Sequence, residues 1–144
     1  MNANTKLTAT LVVALGVGCS PGTDDTSEGT MAMGDDNPFY TKSTLPYQLP
    51  PFDQIDESHF LPAFELGMSE QLDEVDAIAN QSASPTFENT LVPLERSGVL
   101  LNRVAATFFN LAGADTNDAL NEIRTDVAPK LAAHTDQILL NGAL

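Results

Sequence analysis

From residue 57 onward, apolar side chains recur every three or four positions, and no stretch alternates apolar with polar residues. The observed spacing places apolar side chains on one face of a helix, whereas a half-buried strand would need alternation. The sequence therefore predicts an all-α fold with three long helices, over about residues 57–80, 86–112 and 116–140. Because the loops between them are short, consecutive helices are expected to run antiparallel.

The apolar stripes of the three helices define the expected core. They comprise Phe60, Phe64, Met68, Leu72, Val75 and Ile78 on the first helix, Phe87, Leu91, Leu94, Leu101, Val104, Phe108 and Leu111 on the second, and Leu120, Ile123, Val127, Leu131 and Ile138 on the third. Thr86 is expected to cap the second helix, and Asp115 or Thr116 the third. Proline removes a backbone hydrogen bond, so Pro93 and Pro129 are each expected to bend a helix.

Residues 38–55 form a lead-in that is rich in proline. They include Pro38, Pro46, Pro50 and Pro51, with Phe39, Tyr40, Leu45, Tyr47, Leu49 and Phe52 between them. Proline fixes its own φ and biases the preceding residue toward extended geometry. We therefore expect an extended segment whose aromatic side chains insert into something larger.

The N-terminus is typical of an export signal. Lys6 precedes an apolar and small run over residues 7–17, which is too short to span a bilayer as a helix. Gly18 and Cys19 follow, and this stretch resembles the lipobox of a bacterial lipoprotein. The resemblance implies a signal peptide over residues 1–18, an acylated Cys19, and a membrane-anchored lipoprotein in the periplasm or at the cell surface. An ordinary secretory signal with a stray thiol, or a cytoplasmic chain, are the alternatives.

Residues 19–37 predict a flexible acidic tether, since Gly, Pro, Ser, Thr and Asp leave too little apolar surface to offset chain entropy. The acidic pairs Asp24–Asp25 and Asp35–Asp36 lack the spacing of a calcium loop. The whole chain has 20 acidic against 6 basic residues, a net charge of −14. Nucleic acid is disfavoured as a partner, because phosphates require Lys and Arg.

The sequence offers little chemistry. His59 and His134 are 75 positions apart and no His-Glu-x-x-His motif is present, so both are interpreted as surface or half-buried histidines rather than metal ligands. No nucleophile elbow surrounds a serine, and Ser97–Gly98 is read as a glycine within a helix. We predict no catalytic residue and no metal ligand in this chain. The only modification site predicted is Cys19.

Other polar and aromatic residues have ordinary structural interpretations. Glu95, Arg96 and Arg103 are read as helix-face charges or salt-bridge partners, and the Phe108–Phe109 pair as core. Asn89 and Asn110 are interpreted either as members of a polar layer or as surface residues.

Three stretches together are more informative than any single residue. They are residues 37–53 (Asn-Pro-Phe through Pro-Pro-Phe-Asp), His59-Phe60-Leu61-Pro62-Ala63-Phe64, and Ser84-Pro85-Thr86-Phe87-Glu88-Asn89-Thr90 with Leu94-Glu95-Arg96-Ser97-Gly98. Residues 128–134 and 140–141 continue the pattern. Residues 37–144 thereby resemble the N-terminal region of zinc metallopeptidases of the thimet oligopeptidase family, particularly the bacterial peptidyl-dipeptidase branch and next oligopeptidase A. Pro93 departs from that pattern.

The resemblance implies a large, nearly all-helical enzyme that holds one zinc ion, cleaves short peptides and releases C-terminal dipeptides. Its zinc ligands would lie outside this chain, so residues 38–144 would be an incomplete helical segment, inactive alone, that meets peptides only through the whole enzyme. A stand-alone lipid-tethered helical binding module and a non-functional remnant are the alternatives.

Overall fold

Helix α1 is the central element of the fold in the computed structural model, which describes residues 36–144. It extends over Phe60–Ala79 and is followed by α2 (Val92–Arg96), α3 (Val99–Ala114) and α4 (Asp118–Leu139). A single 3-10 turn precedes it at Glu57–His59, another lies at Pro46–Gln48, and one π turn occupies Phe87–Leu91. The described residues contain no strand, so the predicted all-α fold is confirmed.

Helices α3 and α4 both pack on α1, in opposite directions. Phe64 packs against Phe108, and Gly67 lies against Leu101, so α1 and α3 are antiparallel. Lys130 pairs with Glu65, and His134 with Gln71, which makes α4 parallel to α1. The direction thus alternates along the chain, as predicted.

The core is a cluster of aromatic and branched side chains between the three long helices. Its fully buried large members are Phe39, Phe60, Phe64, Phe108, Val75, Val104 and Val127. The ring centroids of Phe60 and Phe108 are 5.1 Å apart and those of Phe64 and Phe108 5.4 Å apart, both in edge-to-face geometry. Such pairs contribute about 0.5–1.5 kcal/mol beyond the area that they bury.

Gly67 permits a close approach between α1 and α3. A Cβ at this position would lie 2.8 Å from the backbone nitrogen of Leu101 and 2.9 Å from its Cα. Backbone atoms cannot yield as a flexible side chain does, so only glycine fits here. The predicted apolar stripe of α1 did not include this residue, although its burial brings the helices together.

The predicted second helix, 86–112, is wrong as a single continuous element. Thr86 caps its beginning as expected, but Ser97 is extended and Gly98 is left-handed with φ of 70°, which separates α2 from α3. Pro93 lies in the first turn of α2, where its missing N–H costs little, and the chain turns at Ser97–Gly98 instead. Phe87 and Leu91, which were expected in the core, are 64% and 49% exposed.

Two further expectations need correction. Asn117, rather than Asp115 or Thr116, caps α4, through its Oδ1, which accepts from the backbone N–H of Leu120.

In the lead-in, Phe39 inserts fully into the core, but Leu45, Tyr47, Leu49 and Phe52 are exposed, and the 3-10 turn interrupts the extended geometry. Pro129 lies within an unbroken α4.

The predicted signal peptide, Cys19 and nearly all of the predicted tether lie outside the described residues. Among the helices that the structure describes, none combines the length and the apolar composition needed to cross a membrane.

Candidate functional site

A line of polar side chains, of which Gln71 is half-buried and the other two are buried, connects α1, the turn before α3, and α4. Gln71 Oε1 lies 2.8 Å from His134 Nε2, and Gln71 Nε2 donates to Ser97 Oγ at 3.1 Å. Ser97 Oγ in turn donates to the carbonyl of Leu94 at 2.8 Å. Ser97 and His134 are both buried. We refer to Gln71, Ser97 and His134 as the buried polar chain.

The direction of these hydrogen bonds defines the tautomer of the neutral histidine. Because the Gln71 amide donates to Ser97, its carbonyl oxygen accepts from His134, and the proton of the neutral imidazole lies on Nε2. Burial lowers the pKa of His134, so the neutral form prevails at neutral pH. His134 Nδ1 is buried and has no hydrogen-bond partner among the described residues.

This arrangement is structural rather than nucleophilic. An activated serine needs a histidine nitrogen within direct hydrogen-bond reach to accept its proton. Here Gln71 lies between Ser97 and His134, and the serine proton is directed at a backbone carbonyl. The buried polar chain therefore attaches α4 and the α2–α3 turn to α1. The sequence analysis missed it, since Gln71 gives no signal in a helical pattern.

Glu74 stabilises the start of α3. Its Oε2 accepts the backbone N–H of Gly98 at 2.7 Å, and a carboxylate at a helix N-terminus also interacts favourably with the helix dipole. Gly98 is required both by its positive φ and by the Gln71 side chain, which would lie 2.5 Å from an added Cβ.

His59 takes part in a helix cap rather than in a site with His134. Its Nδ1 accepts the backbone N–H of Asp56 at 3.1 Å, and Asp56 Oδ1 accepts the backbone N–H of Ser58 at 3.0 Å, which completes a capping box. The hydrogen bonds from the Ser58 hydroxyl and from the Ser58 backbone N–H lower the pKa of Asp56. His59 is thus the half-buried histidine predicted, whereas His134 is more deeply buried than predicted.

The described residues contain no group of three or more His, Cys, Asp or Glu side chains placed to hold a metal ion. The concave acidic surface of α4 is formed by side chains of this one helix: Asp118, Asn121, Glu122, Thr125 and Asp126.

A groove of about 550 Å³ lies between the lead-in and the beginning of α3. It is lined mainly by Lys42, Ser43, Tyr47, Gln48, Leu49, Pro50, Val99, Arg103, Ala106 and Thr107. Arg103 donates from Nη1 to the carbonyl of Thr41 at 2.9 Å, so it holds the lead-in rather than pairing with a helix-face carboxylate. Sequence reasoning missed the groove, because it joins segments about 60 positions apart.

The remaining candidate residues have the following places. Glu95 and Arg96 are exposed, as expected. Asn89 belongs to the cap of the π turn, where its Oδ1 accepts the backbone N–H of Thr86 at 2.7 Å. Asn110 is exposed and donates to the carbonyl of Ala106. Phe108 is in the core, but Phe109 is 46% exposed.

The described residues therefore define a helical assembly organised about α1, with a structural polar chain and an open groove. No protein-family model matches the chain. The chain is 45% identical over 108 residues to the dipeptidyl carboxypeptidase of Salmonella typhimurium and, equally, to that of Escherichia coli K12. The matched region covers 75% of this chain and 16% of each relative. Oligopeptidase A of Escherichia coli K12 is 27% identical over 99 residues, or 69% of this chain and 14% of that protein.

These similarities make the chain homologous to a region of these peptidases. The chain spans about one sixth of the length of the dipeptidyl carboxypeptidases that it matches.

Proposed function

We propose that this chain is the N-terminal helical region of a zinc-dependent oligopeptidase of the peptidyl-dipeptidase type. The whole enzyme would hydrolyse peptides and release dipeptides from their C-termini. The observation that carries this proposal is the 45% identity over 108 residues to two dipeptidyl carboxypeptidases. The helical fold of the described residues agrees with a nearly all-helical enzyme.

In this proposal the chain supplies scaffold, and the hydrolytic centre belongs to the rest of the enzyme. The residues present here do not fit a catalytic zinc ion, because the sequence lacks His-Glu-x-x-His and the two histidines serve a helix cap and the buried polar chain. No step of hydrolysis is therefore assigned to this chain. Its residues contribute by fixing α3 and α4 on α1.

A peptidase assay tests whether this chain is scaffold only and has no hydrolytic activity of its own. The purified 144-residue chain, with one equivalent of zinc added, is expected to release no dipeptide from an N-blocked tripeptide or longer peptide. The dipeptidyl carboxypeptidase of Escherichia coli, under the same conditions, is the positive control. Turnover by the 144-residue chain that a chelator abolishes would contradict the scaffold assignment.

The DNA downstream of codon 144 tests the relationship to a whole enzyme. We expect an open frame, direct or after one frameshift, that encodes His-Glu-x-x-His. A stop codon followed by unrelated sequence would favour a separate binding module or a remnant.

We further propose that residues 1–18 direct export and that Cys19 carries the lipid that anchors the protein to the membrane. Gly18 before Cys19 and the apolar run over residues 7–17 support this reading. One acyl chain anchors only weakly, whereas two or more hold a protein durably on a bilayer. Cells fed labelled palmitate should label the wild-type protein, and Cys19→Ala should remove the label. Equal labelling of both proteins, or of neither, would contradict lipidation at this residue.

A further inference from the structure

The outer face of α3, defined by six exposed residues that share one side of the helix, is short of charge. Its members are Val99, Asn102, Ala106, Phe109, Asn110 and Gly113. Val99 is 64% and Phe109 46% exposed. Arg103, at the edge of this face, is the only charged residue among the 16 of α3. A helix face that meets water normally carries charged and polar residues.

The lead-in extends this surface at the beginning of α3. Tyr47 and Leu49 line the groove beside Val99, and Tyr47 is 97% exposed. Tyr47 and Gln48 both have φ of 57°, in the left-handed region that bulky side chains rarely adopt. Backbone strain of this kind concentrates where a surface binds something. The turn therefore holds an aromatic side chain outward beside an open apolar groove.

The charges of the groove indicate what should fill it. Lys42 and Arg103 are two of only 6 basic residues in a chain with 20 acidic ones. Neither is paired with a carboxylate of the described residues. Arg103 Nε is buried and has no hydrogen-bond partner among the described residues. An occupant that brings a carboxylate would pair with the half-buried guanidinium of Arg103, since guanidinium and carboxylate groups pair well at interfaces.

We propose that the outer face of α3 and the adjoining groove are covered by the polypeptide that forms the rest of the peptidase, through an apolar segment with a carboxylate opposite Arg103. This inference rests on the proposed function. The length of the relatives supports it, because about five sixths of each dipeptidyl carboxypeptidase lies outside the matched region. A helix face that carries no charge and exposes Val99 and Phe109 is typical of an interface rather than of a water-facing helix.

A chimera tests the proposal in a whole enzyme. The 108 matched residues of the Escherichia coli dipeptidyl carboxypeptidase are replaced by the corresponding residues of this chain. Ala106→Glu is then introduced at the centre of the outer face of α3. Glutamate is a good helix former, and here it would lie one turn from Arg103, so the substitution is benign where the face meets water. Ala133→Glu, on the exposed side of α4, is the matched control.

We expect A106E to lower the melting temperature of the chimera by several degrees and to leave that of the isolated 144-residue chain unchanged. The control A133E should change neither protein. Arg103→Gln should lower the melting temperature of the chimera more than that of the isolated chain, because it leaves the partner carboxylate unpaired. Equal melting temperatures for the A106E and A133E chimeras would overturn the inference.

Other occupants give different results, each of which would overturn the proposal. An equal fall in the isolated chain would show that residues of this chain already cover the face. A fall in the isolated chain that depends on protein concentration would show that a second copy does.

Different experimental results would contradict the proposed function and the proposed interface. A chimera that folds and releases dipeptides but is insensitive to A106E contradicts the interface alone. A chimera that does not fold contradicts the proposed relationship, and the isolated chain then decides the interface. An uncovered apolar face binds bis-ANS, so A106E should at least halve the dye fluorescence of the 144-residue chain and A133E should not. Equal fluorescence of the two variants would overturn the inference whatever the chimera does.

Discussion

Helices α3 and α4 pack on the same helix with opposite chemistry. Between α1 and α3 the contact is apolar and close, with the Phe64 and Phe108 rings edge to face and Gly67 against the backbone of Leu101. Between α1 and α4, polar contacts supplement Leu120 and Val127: His134 to Gln71, and Lys130 to Glu65. The outward sides differ too, since α4 exposes several carboxylates, whereas α3 contains no carboxylate and exposes Val99 and Phe109.

This contrast indicates that α3 depends on burial of apolar surface more than α4 does. Apolar contacts stabilise roughly in proportion to the area removed from water, whereas exposed ion pairs contribute little. We therefore expect that substitutions between α1 and α3 affect stability most, and that substitutions between α1 and α4 have smaller effects which depend on pH or salt.

The largest effect is expected for Phe108→Ala. Phe108 is fully buried and contacts Phe60, Phe64 and Phe109, so truncation leaves a cavity among aromatic rings. Substitutions of this kind cost about 3–5 kcal/mol. Urea unfolding followed by circular dichroism measures the change in the free energy of unfolding. The neighbouring Phe109→Ala is the control, and it should cost less than half as much, because Phe109 is 46% exposed.

Gly67→Ala should have the next largest effect. Its added Cβ meets the backbone of Leu101 at 2.8 Å, so α1 and α3 must move apart. Overpacking of this type costs about 1–3 kcal/mol. The matched control is Gly113→Ala, whose Cβ meets nothing within 4 Å. Because alanine is the better helix former, this control should raise the free energy of unfolding by up to about 1 kcal/mol. Equal losses in the two variants would show that the α1–α3 contact is not as close as described.

The sequence predicted the features of the fold that depend on residues close together in the chain, and it did not predict those that depend on residues far apart in the chain. The spacing of Phe60 and Phe64 fixed the buried face of α1, and Thr86 was found as a cap, because both signals lie within one or two helical turns. The turn at Gly98 was read as helix. Its left-handed φ is favoured by Glu74, 24 positions away, which accepts the Gly98 N–H. No local pattern contains that contact.

The candidate surfaces show the same limit more strongly. The buried polar chain joins Gln71 to His134 across 63 positions, and the groove joins the lead-in to Arg103 across 62. Sequence reasoning interpreted His134 as a surface or half-buried histidine and Arg103 as a helix-face charge or salt-bridge partner, and it connected neither residue with Gln71 or with the lead-in. The apolar character of Phe87 and Leu91 predicted burial, yet both are exposed. Hydrophobicity alone does not distinguish an apolar residue that is buried in the described residues from one that is exposed.

An intermediate effect is expected when the pH is lowered. Burial holds the pKa of His134 below its usual 6.5 in the folded state, so the unfolded chain binds more protons as the pH falls past that value. The stabilisation from the neutral imidazole is complete above about pH 6.5 and is lost as the pH falls through the lower, folded-state pKa. The contribution of His134 should therefore lower the urea midpoint at pH 5.5 relative to that at pH 8.

His134→Gln is the control for that pH dependence. Its amide can still reach Gln71 but does not titrate, so the difference between the two midpoints should shrink. All other titratable groups are the same in both proteins, and their shared contribution cancels when the variant is compared with the wild type. An unchanged pH dependence in the variant would mean that α4 does not rely on a neutral histidine.

The smallest effect is expected for Lys130→Gln. Lys130 Nζ lies 2.7 Å from Glu65 Oε1 and 2.9 Å from Asp126 Oδ2, and these hydrogen bonds raise its pKa. The side chains of Lys130 and Glu65 are 38% and 54% exposed, so water and salt screen the attraction. The variant should shift the urea midpoint less than Gly67→Ala does, and 0.5 M NaCl should remove most of that shift. A loss as large as that of Gly67→Ala, persisting in salt, would mean that an ion pair attaches α4 as firmly as close packing attaches α3, and the contrast between the two helices would fail.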